Sequence, residues 1–269
     1  TVISPVFDET GSEIRFFVGN RGHHADIGGM TPGSTPPDAK TLEEEGVVID
    51  DFLLRSAGEF REAAFRDLLA SAAYPARDPD SNVSDILAQI AANEAGARDV
   101  QAMIARYGWA GVSAYARHVM DNAEESVRRV IDRLSDGEMQ VEMDDGLPLC
   151  VSIKVDHATR SARIDFSGTG AQRPGNFNAP PVVTRSAVLY VFRCLVADDL
   201  PLNEGCMRPL ELVIPDGSFL SPSPGSAVVA GNTEVSQAVC NVLLGALGAC
   251  AAAQGTMNNF LCGNDTYQY

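Results

Sequence analysis

Basic charge is scarce in these 269 residues. Twenty Lys+Arg stand against 36 Asp+Glu, a formal net charge of −16. So acidic a surface repels phosphate backbones and anionic headgroups, which argues against nucleic acid or membrane as partner. Cysteine occurs at 150, 194, 206, 240, 250 and 262, never as a CxxC pair or with zinc-ribbon spacing. Most of these positions are apolar in context (Cys194 in VFRCLV, Cys240 in AVCNVLL), so buried free thiols in a reducing cytoplasm are expected. No GxSxG elbow and no GxxxxGK[ST] loop is present, which removes two familiar hydrolase and nucleotide-binding signatures. No apolar run reaches the roughly 20 residues of a membrane span. No secretory n-region and h-region open the chain. It starts without Met, on the strand-like TVISPVF, and ends on NDTYQY, so it reads as an internal fragment.

What is present is ordinary globular material, 45% hydrophobic and 21% charged, enough for a sizeable core in one large domain or two modest ones. Val2 to Phe7 and Glu13 to Val18 are β-rich and flank the turn Asp8-Glu-Thr-Gly11, which predicts a hairpin. Val47 to Leu54 reads as a further strand. Phe60 to Ala70 has helical spacing. Asp80-Ser81-Asn82 then precedes Val83, Ile86, Leu87 and Ile90, which predicts a capped helix to about Tyr107. A second helix covers Val112 to Leu134, so a helical hairpin is expected near 82–134. Leu149 to Asp156 and Ser161 to Phe166 form a second β-hairpin. A helix over Val183 to Val196, a strand over Leu210 to Ile214 and a buried apolar helix near 232–254, capped by Asn232 or Thr233, complete the pattern. Helices and mainly antiparallel strands in separate runs define an α+β fold.

Chemistry concentrates in Asn20-Arg-Gly-His-His-Ala-Asp26. Imidazole and carboxylate together suit a divalent zinc, manganese or iron ion. On extended backbone His23 and His24 face opposite ways, so one histidine with Asp26 converges more easily. A polar turn with one hydrogen-bonded histidine explains the same residues, and Arg21 beside them fits either a carboxylate ligand or a surface ion pair. His118 reads as a helix-face residue and His157 as a solvated turn residue. The loop from Gly168 to Gly175 offers backbone for an anion and, with Thr169, Asn176 and Asn178, polar groups for a substrate; a long ordered turn fits equally. Asn232, opening the last helix, adds a polar group at a helix N-terminus.

NRGHHADIGGMTPGSTPPDAKTLEEEGVVI (20–49), DFSGTGAQRPGNFNAP (165–180), RCLVADDLPLNEGCMRPLELVIPDGSFLSPSP (193–224) and AGNTEVSQAVCNVLLGALGACAAAQGTMNN (230–259) resemble, in order, the hydantoinase B/oxoprolinase family. The resemblance implies one partial family domain over 1–269, truncated at both ends. It implies part of an ATP-dependent cyclic amidase that opens a lactam or hydantoin ring. ATP would be held by a hydantoinase A-type subunit or domain, in an oligomer with this chain. A divalent metal would lie on His23, with His24 less firmly placed. Asp26 and Arg21 would act in catalysis, and Thr169, Asn176, Asn178 and Asn232 would line the substrate. A subunit of an acetone- or acetophenone-type carboxylase and a non-catalytic scaffold are the alternatives.

Overall fold

Val2–Phe7 (β1) and Ile14–Asn20 (β2) pair antiparallel, as their pattern predicts. The Asp8 carboxylate closes the turn by accepting from Thr10 and from the Ser12 backbone N–H. Val2 and Val6 are buried, whereas Ile3 and Phe7 on the opposite face are exposed. The computed structural model describes residues 1–251 with 253, 255, 264 and 266. It divides into two compact units, Thr1–Val119 and Met120–Tyr269. The architecture is α+β, as expected.

In the first unit the hairpin is followed by the one-turn helix Leu42–Glu45 (α1). Next come the two-residue strands Arg55–Ser56 (β3) and Glu59–Phe60 (β4), then Glu62–Ser71 (α2) and the long helix Pro79–Tyr107 (α3). A small core of Val2, Phe65, Leu69, Ala76, Val83 and Ile86 joins β1, α2 and α3. Two expectations are corrected here. Val47 to Leu54 forms no strand. Asp50-Asp51 interrupts the run, Asp51 sits at φ 43°, and Val48, Ile49 and Leu53 are exposed rather than paired. The cap of α3 is Asp78, not residues 80–82. Its carboxylate accepts from the Ser81 backbone N–H at 3.1 Å, with Pro79 in the first helical position. Asn82 is therefore inside the helix and free to face the interior.

Gly108, at φ 74°, leads directly into Trp109–Ile131 (α4). A one-residue link is shorter than the loop of a helical hairpin, and the packing partners of α3 are β1, β2 and α2.

In the second unit Ala123, Val127 and Ile131 of α4 enter a larger core. Four strands, Gly137–Glu142 (β5), Pro148–Asp156 (β6), Ser161–Asp165 (β7) and Leu210–Val213 (β8), form a sheet in sequence order. The pairs are antiparallel except β7 with β8, which run parallel. A parallel pair needs a crossover, and residues 166–209 supply it with the helix Pro181–Leu195 (α5). Glu234–Ala246 (α6) packs on β5, β6 and α5. The apolar helix thus stops at Ala246 rather than near 254. Gly248, at φ 62°, donates to the Gly245 carbonyl and Ala249 to the Leu244 carbonyl, a Schellman stop that only a left-handed residue permits. Its N-cap, Thr233, makes no side-chain cap bond, and the Thr233 hydroxyl instead lies toward the Ala230 carbonyl.

Among the described residues no helix is long and apolar enough to cross a membrane. Of the five described cysteines Cys206 is buried as expected, but Cys194 and Cys250 are exposed. Cys262 lies outside the described residues.

Candidate functional site

The β1–β2 hairpin feeds the chain into the loop of Arg21 to Asp38, and Asp26 fastens that loop. One carboxylate oxygen accepts from the Gly28 N–H at 2.9 Å and the Arg77 N–H at 3.3 Å. The other accepts from the Gly33 N–H and the Arg77 guanidinium, each at 2.9 Å. Partial burial raises the Asp26 pKa, but these four donors outweigh it and hold the carboxyl below the ordinary aspartate value. Gly28 and Gly29 follow at φ 91° and 89°. A Cβ at Gly28 would lie 2.2 Å from the Tyr74 carbonyl oxygen, and one at Gly29 2.4 Å from that of Glu45. Only glycine allows the loop to run this close to its neighbours. Asp26 therefore holds the loop in shape, and its lone pairs are spent.

His24 is the sequence candidate that reaches a cavity. Its Nδ1 lies 3.0 Å from Asp85 Oδ2 on α3, and its side chain is 14% exposed. That contact, with Asn82 Nδ2 3.3 Å from the same nitrogen, fixes the ring from α3 and leaves Nε2 without a hydrogen bond to the described residues. Asn82 supports the same turn, donating to the Asp26 carbonyl at 2.8 Å. His24 lines a cavity of about 820 Å³ within the first unit, together with Gln89, Asn93, Phe65, Ile86 and Ile90. His23 and Arg21 are exposed and do not line it.

The second-unit candidates have structural work. Thr169 Oγ1 lies 3.2 Å from both the N–H and the C=O of Cys150 and ties the loop to β6. Asn178, fully buried, donates to the carbonyls of Arg173, Gly175 and Ala227 and accepts from the Arg173 N–H. Asn176 is buried and its carbonyl accepts from the Ala230 N–H. Asn232 is exposed, and its carbonyl accepts from Ser236. The loop's backbone donors are used as well: Thr169 N–H bonds Phe166, Gly170 N–H bonds Pro148, and Gln172 N–H bonds Gly217. With these bonds and the Arg173 N–H bonded to Asn178, the segment forms a long ordered turn.

Among the described residues no group of three or more His, Cys, Asp or Glu side chains is placed to hold a metal ion. His23 and His24 provide two imidazoles, and Asp26 is saturated. These residues alone do not compose a complete metal site.

The sequence offers Asn82 only as part of a helix cap and assigns no site role to Asp85, Gln89 or Asn93. The amides recur at intervals of seven and four along α3 and share its inner side with Val83 and Ile86. Polar amides recurring inside an apolar helical stripe were the available signal.

This α+β chain belongs to the hydantoinase B/oxoprolinase family, whose pattern matches residues 1–269. It is 42% identical to 5-oxoprolinase 1 of Arabidopsis thaliana, over 100% of this chain and 23% of that protein. It is 43% identical to 5-oxoprolinase of Dictyostelium discoideum, over 100% of this chain and 22% of that protein. The chain thus spans less than a quarter of the length of these curated relatives. The crystal structure of an ATP-dependent caprolactamase from Pseudomonas jessenii superposes with a TM-score of 0.74 at 25% identity, covering 91% of this chain and 43% of that one.

Proposed function

We propose that this chain is part of an ATP-dependent cyclic amidase and that the cavity of the first unit receives the ring to be opened. The observation that carries this is the His24–Asp85 pair at the cavity wall, in a chain whose relatives are 5-oxoprolinases. An unstrained amide resists water. A hydantoinase A-type subunit or domain, assembled with this chain, would transfer the γ-phosphoryl of ATP to the ring carbonyl oxygen. The carbon becomes more electrophilic and the ring nitrogen loses its proton. One water adds to that carbon and the C–N bond breaks, the nitrogen taking up a proton. A second water releases inorganic phosphate from the acyl phosphate, leaving an amino acid and ADP. His24 Nε2, with the ring held by Asp85, is the group that moves protons to and from water and the leaving nitrogen. Phe65, Ile86 and Ile90 keep competing water away from the activated carbon.

His23 would be this chain's contribution to a divalent zinc, manganese or iron site, with His24, the other histidine of the expected metal pair, left to proton transfer and the remaining ligands supplied by the rest of the assembly. Metal analysis of the full-length protein, wild type against His23→Ala, tests that assignment, and unchanged metal content removes it. The free thiols and acidic surface fit a cytoplasmic setting.

The activity is tested by incubating the full-length protein with its ATP-binding part and 5-oxoproline or a hydantoin, with and without ATP and bicarbonate. Ring opening that needs ATP and ignores bicarbonate supports the proposal. Stoichiometric bicarbonate consumption with a ketone, and no ring opening, would instead identify a carboxylase. Absence of both turnovers with an intact partner points to a scaffold.

A further inference from the structure

The three amides on the inner side of α3 differ in one respect. Asn93, 3% exposed, donates to the Val2 carbonyl and Ser4 Oγ and accepts from Asn20, so it pins the hairpin to the helix. Asn82, 2% exposed, donates to the Asp26 carbonyl, although its own Oδ1 also lacks a partner. Gln89, between them and 6% exposed, makes no side-chain hydrogen bond to the described residues, and its Oε1 is a buried acceptor without a partner among them. Its backbone carbonyl serves Asn20 instead. Leaving such a group unpaired in a dry site is unfavourable, so it calls for an explanation. Two further facts supply one. Gln89 lines the same cavity as His24. Gly22, one residue before the histidine pair, leaves room for the amide: a Cβ there would lie 2.7 Å from Gln89 Nε2.

A primary carboxamide presents C=O and N–H side by side. In a small ring a secondary amide is forced cis, so its N–H and C=O also share one edge, and the two groups match by paired hydrogen bonds. A linear peptide amide is trans and presents the two groups on opposite edges. We propose that Gln89 is a positioning residue that reads the cis N–H/C=O edge of a cyclic amide, with Ile86 and Ile90 against the ring methylenes. This rests on the proposed function of the cavity and adds to it a reason for preferring rings over linear amides. When activation removes the ring proton, the carboxamide can turn its Nε2–H toward the ring nitrogen, so one side chain serves both states.

The test is equilibrium binding without ATP, by calorimetry on the full-length protein, of 5-oxoproline against its analogue methylated on the ring nitrogen. Binding rather than turnover is measured because methylation also blocks the chemistry. Wild type should favour the N–H ligand about tenfold or more, the value of one well-made hydrogen bond in a dry site. Gln89→Leu should bind both ligands weakly and alike. Gln89→Glu, which accepts but does not donate, should keep part of the preference; it also serves if the leucine variant fails to fold. In turnover the leucine variant should raise KM more than it lowers kcat, the mark of lost ground-state binding. A wild-type binding ratio in folded Gln89→Leu or Gln89→Glu that still opens rings would overturn the role of Gln89 alone. Failure of wild type to bind or open any cyclic amide would overturn the function assigned to the cavity.

Discussion

Asp26 and His24 stand two residues apart and do different work because of what each meets. Asp26 meets four donors and no cavity, and His24 meets one carboxylate and a cavity wall. A carboxyl whose pKa is lowered by folding stabilises the protein above the ordinary aspartate value and stops doing so as pH falls through the folded one. Asp26 therefore supports the first unit at neutral pH, and its contribution fades below about pH 4. Asp26→Asn should cost about 1–3 kcal/mol at pH 7, since it leaves Arg77 without its ion pair and weakens the bonds from the Gly28, Gly33 and Arg77 backbone N–H groups. The difference from wild type should shrink in acid. Urea unfolding at pH 7 and at pH 3 reads both, and an equal loss at the two values would contradict the loop-fastening role. Substituting Asp85→Asn keeps the shape but removes the charge that orients His24. It should lower ring-opening kcat about 10- to 100-fold with the far-ultraviolet dichroism unchanged, in line with the loss of a supporting partner.

Among the elements, those set by local pattern were legible. The first hairpin follows from alternation around Asp8, and β6 with β7 follows from alternation around residues 157–160. What depended on distant partners was not. The apolar run at 47–54 has strand composition but meets no strand, and nothing in its own residues reveals that. Gly248 was visible, yet among so many alanines the left-handed stop could not be placed from composition. The site divides in the same way. His24 and Asp26 stood out because they are neighbours in sequence, whereas Asp85 and Gln89 come from a helix some 60 residues on, where each reads as an ordinary polar position. The asparagines of 176 and 178 looked like substrate groups because a glycine-bearing loop suits either use, and tertiary packing turned them inward. The loop itself gives a graded prediction. Gly33→Ala, at φ 80° with open space around it, should lose only the left-handed preference, about 1–2 kcal/mol. Gly28→Ala should lose clearly more, because its Cβ meets the Tyr74 backbone. Comparable melting temperatures for the two variants would show that the close approach of the loop does not exist.

At the scale of the whole molecule, two units with separate cores carry a chain that accounts for under a quarter of its 5-oxoprolinase relatives. Histidine, supporting carboxylate and unpaired amide all fall in the first unit, whereas in the second Thr169, Asn176 and Asn178 tie down a loop and Asn232 is exposed. Under the proposed function the first unit would be where the ring is opened, with phosphoryl transfer supplied by the proposed ATP-binding part. The most direct measurement is ring opening of 5-oxoproline by the full-length protein carrying His24→Ala, with folding checked by dichroism. A fall in kcat of about 100-fold or more is predicted, the usual worth of a positioned proton-transfer group; ring opening at the wild-type rate would contradict the assignment of His24 and its cavity.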